Sequence, residues 1–289
     1  MATRVCVVGS VNADLTYTVD ALPQPGQTVL ASGLSTSPGG KGGNQAVAAA
    51  RAGATVQLVA ALGADAAAEQ LRAHLDTNGV GLAGITHVPG PSGCAAIIVD
   101  SRAENCIVVA PGANAHLSVS SEAVRSVIAD SDVVLIQLEI PIDTATAAAR
   151  VGRDAGAVVI VNASPTPDPD HLAALADLAD VVVVNETESH GWLIDGRPLV
   201  AQLVITRGAR GASYIANGEQ SDVAAPAVEA VDTTGAGDAF AGVLAANWPD
   251  GAKLALLRAC AAGALATLVP GAGDCAPHAE SIEDLLDPS

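Results

Sequence analysis

The 289-residue chain is half apolar but only 2% aromatic, so a sizeable core must be built mainly from Ala, Val, Leu and Ile, in one large α/β domain or two small ones. Its formal net charge of −18, with 13 Lys and Arg, argues against nucleic-acid and anionic-membrane partners. An anionic substrate would have to be met by local positive features such as Lys41, Arg207, Arg210 and glycine-rich helix starts.

The apolar run after Met1 is short for a signal peptide and reads as a first strand, Val5–Val8. Further β-branched runs follow at Thr55–Leu62, Val133–Leu138, Ala157–Val161, Val181–Val184 and Leu203–Thr206. They are apolar on consecutive positions, as in strands buried on both faces. Ala-rich helical stretches lie between them at Gly43–Ala52, Ala66–Thr77, Ser121–Ala129, Thr144–Ala155 and His171–Leu178. This alternation predicts a Rossmann-like α/β fold, a mostly parallel sheet sandwiched by helices. Thr16–Leu34 and Gly93–Val109 break the rhythm with alternating β patterns, and are expected to form a small β-sheet lid drawn from about 12–36 and 92–110 on one domain spanning 1–289. Leu254–Val269 is too short and too polar at Arg258 to span a membrane and suits a buried helix. The five widely spaced cysteines form no Cys-x-x-Cys pair, so neither a zinc site nor a disulfide framework is expected, and the protein is read as soluble and cytoplasmic.

The buried strands end in polar groups: Asn12 and Asp14, Glu139, Asn162, Asn185 to Glu188, and Thr206-Arg207-Gly208. In an open parallel sheet such ends form one edge where ligands bind. Two glycine-rich elements add to it. Pro38-Gly-Gly-Lys-Gly-Gly-Asn44 leads into an Ala-rich helix and would let backbone approach a ligand closely. Asp232-Thr-Thr-Gly-Ala-Gly-Asp238 reads as a tight turn opening a helix, with free N–H groups and the helix dipole making an anion site. Asp238 in that field suits a general base, although Asp is also a favoured helix cap. Neither the Walker A spacing nor a Gly-x-Gly-x-x-Gly fingerprint after the first strand is present.

With these landmarks, together with Ala110-Pro-Gly-Ala-Asn114, Gln137-Leu-Glu139-Ile-Pro141, Asn185-Glu-Thr-Glu188 and Thr206-Arg-Gly-Ala-Arg-Gly211, the chain resembles the ribokinase-like, phosphofructokinase-B type family of carbohydrate kinases over nearly its whole length. The resemblance implies ATP-dependent phosphorylation of a sugar hydroxymethyl group. Asn-x-Asp and Gln-x-Glu-x-Pro narrow it toward the branch that converts D-ribose to ribose 5-phosphate. On that basis Asn12, Asp14, Gly39, Gly40, Lys41, Asn44 and Glu139 match sugar-binding positions. Asp238 matches the catalytic base, and Gly235, Ala236 and Gly237 match the anion hole for the transferring phosphoryl group.

The resemblance also implies that Asn185, Thr206, Arg207, Gly208, Gly211 and Gly237 serve the nucleotide, and that Glu188 organises Mg²⁺ through water. Two plainer readings stay open: Glu186 and Glu188 as an exposed acidic helix start, and Arg207 as a solvated surface residue. Relatives of this branch use K⁺, for which the matching positions are Asp232, Thr234, Ala266, Gly271 and Cys275. A thiol at the last of these is a poor ligand for a hard cation. The segment Ser189–Leu203 is shorter than in relatives, and Gly191, Gly196 and Pro198 argue against a long helix there. A homodimer through the lid's strand edges is expected. The rivals are a sister kinase for another sugar or a nucleoside, against which the shortage of aromatic residues counts, and a non-catalytic sugar-binding regulator.

Overall fold

The computed structural model describes residues 2–102 and 104–287. In chain order, β1 (Arg4–Val8) opens a large sheet, and β2 (Asn12–Thr18) with β3 (Gly33–Gly39) begins a small one. The chain returns to the large sheet through α1 (Lys41–Arg51), β4 (Thr55–Leu62), α2 (Ala66–Thr77) and β5 (Gly81–His87), and completes the small sheet with β6 (Gly93–Val99) and β7 (Asn105–Ala110). A regular alternation follows: α3 (Glu122–Ala129), β8 (Val133–Gln137), α4 (Ile142–Asp154), β9 (Val158–Asn162), α5 (Pro169–Ala176), β10 (Val181–Asn185) and α6 (Glu186–Ser189). A short hairpin, β11 (Leu193–Ile194) and β12 (Arg197–Pro198), leads to β13 (Gln202–Thr206), β14 (Ala212–Ala216) and β15 (Glu219–Val223). Three helices close the chain: α7 (Ala236–Asn247), α8 (Ala252–Ala266) and α9 (Ala279–Leu286).

The nine-stranded sheet has the order β15-β14-β13-β10-β9-β8-β1-β4-β5. Pairing is parallel from β13 to β5, while β14 and β15 are antiparallel additions. The period of two along each strand divides the core cleanly. Val5, Val7, Leu58, Leu135 and Val183 face α1, α2, α7 and α8, whereas Cys6, Val8, Val59, Ile136 and Val184 face α3, α4 and α5. Each fully buried Val, Leu or Ile contributes roughly 1.5–3 kcal/mol, so consecutive apolar strands stabilise a core with few aromatic rings.

The α/β reading therefore holds, with boundaries within two residues for the strands and helices expected along the parallel sheet. β5, β14, β15 and α9 had no counterpart in the sequence reading. Glu219–Val223 carries polar residues that conceal a strand at the sheet edge. The small sheet has the order β3-β2-β6-β7, with β2 and β6 parallel and the other pairs antiparallel. The segment after Ser189 forms a 3₁₀ turn and the short hairpin in place of a long helix. Among the described residues no helix is long and apolar enough to cross a membrane.

Candidate functional site

The order of the large sheet reverses at β1, whose parallel neighbours are β4 on one side and β8 on the other. Crevices open beyond the carboxyl ends of strands at such a point. Here a cavity of about 640 Å³ is lined by Ser10, Asn12, Lys41, Asn114 and Glu139, with Val109, Pro111, Ile140, Pro141 and Pro165 as an apolar wall. A second cavity of about 200 Å³ is lined by Asn162, Asn185, Thr206, Gly235, Gly237 and Asp238. Lys41, Ser164 and Glu188 line both, so the two adjoin.

Backbone geometry brings the two glycine-rich elements together. Gly40 has φ of +86°, and a Cβ there would lie 2.6 Å from the Asn12 backbone nitrogen, so only glycine lets α1 start against β2. Gly235 has φ of +79° and turns the chain into α7 beneath Cys275, whose Sγ would be 2.7 Å from an added Cβ. The first turns of α1 and α7 thereby meet. Asn44 Nδ2 donates to Asp238 Oδ2 at 3.0 Å, and Gln45 Nε2 donates to Asp238 Oδ1 at 3.0 Å.

Charges converge on this point. Lys41 Nζ lies 3.7 Å from Glu139 Oε1, and Ser10 Oγ donates to Glu139 Oε2 at 2.8 Å. Burial works against the Lys41 ammonium, but Asp238, Glu139 and Glu188 outweigh it and hold its pKa above the usual range. Burial pushes Asp238 upward, opposed by Lys41 and the two amides. Asp14 is 9% exposed, and no donor meets its buried Oδ1. Burial, then the charges of Glu139 and Asp238, raise its carboxyl to about 7 despite Lys41. Asn12 is oriented by Asn114 Nδ2, which donates to its Oδ1 at 2.8 Å.

On the other wall, Asn185 caps α6: its Oδ1 accepts from Glu188 N at 2.9 Å, and Glu188 Oε2 accepts from Asn185 N at 3.0 Å. The acidic helix start and the cavity-facing carboxylate are thus the same residue. Thr206 reaches the cavity, but Arg207 does not line it: its guanidinium lies 3.7 Å from Asp222 and 4.0 Å from Glu186. Gly208 and Gly211 stand in the turn behind it, where a Cβ on Gly211 would meet the Val223 carbonyl. Asp232 Oδ1 accepts from Thr234 N and Oγ1 at 2.9 and 2.7 Å, and its Oδ2 accepts from Gly271 N at 2.8 Å. These bonds stitch the loop before α7 to the loop after Ala266. Cys275 Sγ donates within that stitch to the carbonyls of Thr234 at 3.7 Å and Ala272 at 3.3 Å. Sequence reasoning gave no role to Ser10, Gln45 or Asn114; Ser10 and Gln45 lie near Asn12 and Asn44 in the chain and Asn114 ends the Ala110–Asn114 motif, signals that carry meaning only once β1, α1 and the turn at Gly112–His116 are packed together.

The pfkB family carbohydrate kinase model matches residues 2–279. Ribokinase of Bacillus subtilis is 35% identical over 299 aligned positions, covering 98% of this chain and 99% of the relative. Deoxyribokinase of Salmonella typhi is 31% identical, covering 83% and 84%. The structure of Arabidopsis thaliana ribokinase complexed with ribose and ATP superposes with a TM-score of 0.88 at 30% identity, covering 99% of each chain.

Proposed function

The chain belongs to the pfkB family of carbohydrate kinases, and from that premise we propose that this ATP-dependent sugar kinase transfers phosphate to the 5-hydroxyl of D-ribose, with Asp238 as general base. The observation that carries this reading is the place of Asp238. It sits in the first turn of α7, lines the smaller cavity, and has each oxygen held by a side-chain amide.

The larger cavity, with Asn12, Lys41 and Glu139 on its wall, would hold the sugar hydroxyls; Asp14 and Asn44 do not line it, and reach the site through the field at Asp14 and the hydrogen bond from Asn44 to Asp238. Paired carboxylates and amides suit vicinal hydroxyls because they accept and donate in fixed directions. The smaller cavity would take the γ-phosphate over the turn Gly235–Gly237, with Asn185 and Thr206 toward the rest of the nucleotide. Asp238 removes the hydroxyl proton as the oxygen attacks in line, and the first N–H groups of α7 with Lys41 meet charge spreading over the phosphoryl oxygens.

Glu188 commits one oxygen to Asn185 and faces the cavity. Among the described residues no three His, Cys, Asp or Glu gather as a metal-holding group, so Mg²⁺ would take most ligands from phosphate and water, a fit to its chemistry. When bound it would neutralise phosphate charge. K⁺ would depend on the oxygens of Asp232, Thr234, Ala266 and Gly271, to which Cys275 adds no oxygen. Leu34, Ile107, Val108 and Val109 leave an exposed apolar surface on the small sheet, which supports its service as a lid and as a homodimer contact.

The test is ADP release from Mg-ATP with D-ribose, 2-deoxyribose, fructose, adenosine or no sugar, with and without K⁺. Ribose-dependent turnover is expected. Turnover confined to another acceptor would move the reading to a sister specificity, the case the deoxyribokinase relative keeps in view, and no turnover with any acceptor would overturn it.

A further inference from the structure

Gln45 is fully buried at the second turn of α1 and lines neither of the two cavities. Its side-chain nitrogen donates twice, to Asp238 Oδ1 at 3.0 Å and to Asn162 Oδ1 at 2.9 Å. Asn162, the last residue of β9, is fixed in turn, because its Nδ2 donates to the Val183 carbonyl of β10 at 3.2 Å. That bond forces the Asn162 oxygen to face Gln45, which forces the Gln45 nitrogen to face both acceptors. The opposite amide orientation would set Gln45 Oε1 against two oxygens. Gln45 Oε1 is meanwhile buried without a partner, so this orientation is kept at the expense of its own acceptor.

We propose that Gln45 and Asn162 are positioning residues: a relay from the Val183 carbonyl in the central sheet holds the Asp238 carboxylate at a fixed rotation and keeps it ionised for proton abstraction. The proposal rests on the reading of Asp238 as the base. Asn44 holds the other oxygen from the same helix, so a lost relay leaves the carboxylate one tether and freedom to turn about it. The charged and titratable groups that act on Asp238 or are acted on by it are Lys41, Glu139, Asp14 and Cys275, whereas the hydrogen bond to its Oδ1 comes from Gln45.

The experiment compares the parent enzyme with Gln45→Met, Asn162→Leu and the double variant, measuring sugar-dependent ADP formation from pH 5 to 9. Donation to the ionised form lowers a carboxyl pKa, so its loss moves the acid limb of kcat/KM upward by about one pH unit. Misorientation lowers kcat by roughly 10- to 100-fold. Sugar KM stays within about threefold, because Gln45 does not line the sugar cavity. Each single variant breaks the same chain, so the double variant falls little further than either one.

A parent enzyme without sugar-dependent turnover would sink the base assignment itself. An active parent, with Gln45→Met losing thermal stability but keeping kcat and the acid limb, would overturn the relay alone and leave Gln45 as a buried staple between α1 and the sheet. Should Gln45→Met fail to fold, Asn162→Leu decides by the acid limb alone, because Asn162 also lines the smaller cavity and its loss can lower kcat directly: an upward shift supports the relay and an unmoved limb overturns it.

Discussion

Replacing Asp14 by Asn isolates the electrostatics of the cleft from its chemistry. The carboxyl is held at about 7 in the folded chain, chiefly by burial and then by Glu139 and Asp238, against an ordinary value of 3.8. Between those two values the folded state keeps a proton that the unfolded chain has released. Stability therefore falls as pH rises through that window and levels off above about 7. At about 1.4 kcal/mol per pH unit, Asp14 costs the free enzyme about 2 kcal/mol at pH 5, where folding must take up a proton, and about 4 kcal/mol at pH 8, where the carboxylate is buried ionised. Asp14→Asn carries no such charge, so urea unfolding without sugar should show it more stable than the parent by those amounts at the two pH values. A variant no more stable at pH 8, or a gain that does not shrink at pH 5, would mean that the buried Asp14 charge is not what lowers stability. The same substitution should abolish most of the stabilisation that added sugar gives the parent. The unpartnered Oδ1 is an acceptor for hydroxyl groups, and the site gives up stability to present it.

Asp238→Asn is expected to lower kcat by roughly 10²–10⁴-fold while sugar-induced stabilisation persists, and near-normal turnover would remove Asp238 from the mechanism. In Glu188→Gln an amide oxygen can still accept from Asn185, so the melting temperature should hardly move while half-saturation by Mg²⁺ rises severalfold; an unchanged Mg²⁺ titration speaks against a metal role. Cys275 is pushed up to about 11 by burial and stays a neutral thiol, so Cys275→Ser should strengthen activation by K⁺, and equal K⁺ response in both proteins would separate this residue from any cation site. Brief treatment with iodoacetamide at pH 8 followed by mass mapping should label exposed Cys106 and spare buried Cys6, Cys260 and Cys275; early label on the buried three would contradict the packing.

The parallel half of the large sheet was legible because its strands are buried on both faces, which leaves consecutive Val, Leu and Ile in the sequence, and because Ala-rich helices separate them. The outer strands β14 and β15 were not, since Glu219–Val223 is largely exposed and needs no apolar pattern to pair with its neighbour. At the site, Asp238, Lys41, Asn44 and Glu139 were legible from glycine turns and strand ends. Position alone left Arg207 open between the nucleotide and the surface, because its direction depends on Asp222, fifteen positions later in β15, and on Glu186 at the start of α6.

Local chemistry along the chain is enough for buried parallel strands, for turns that require glycine at Gly40 and Gly235, and for a carboxylate in the first turn of a helix. Tertiary structure alone decided what depends on distances between remote segments. Gln45 and Asp238 are 193 residues apart, and their hydrogen bond exists because α1 and α7 start side by side on one face of the sheet. Asp14 is raised to about 7 because burial and two carboxylates from other elements surround it. Periodicity along a chain encodes which face is buried, whereas an electrostatic field is a sum over neighbours that only folding brings within reach.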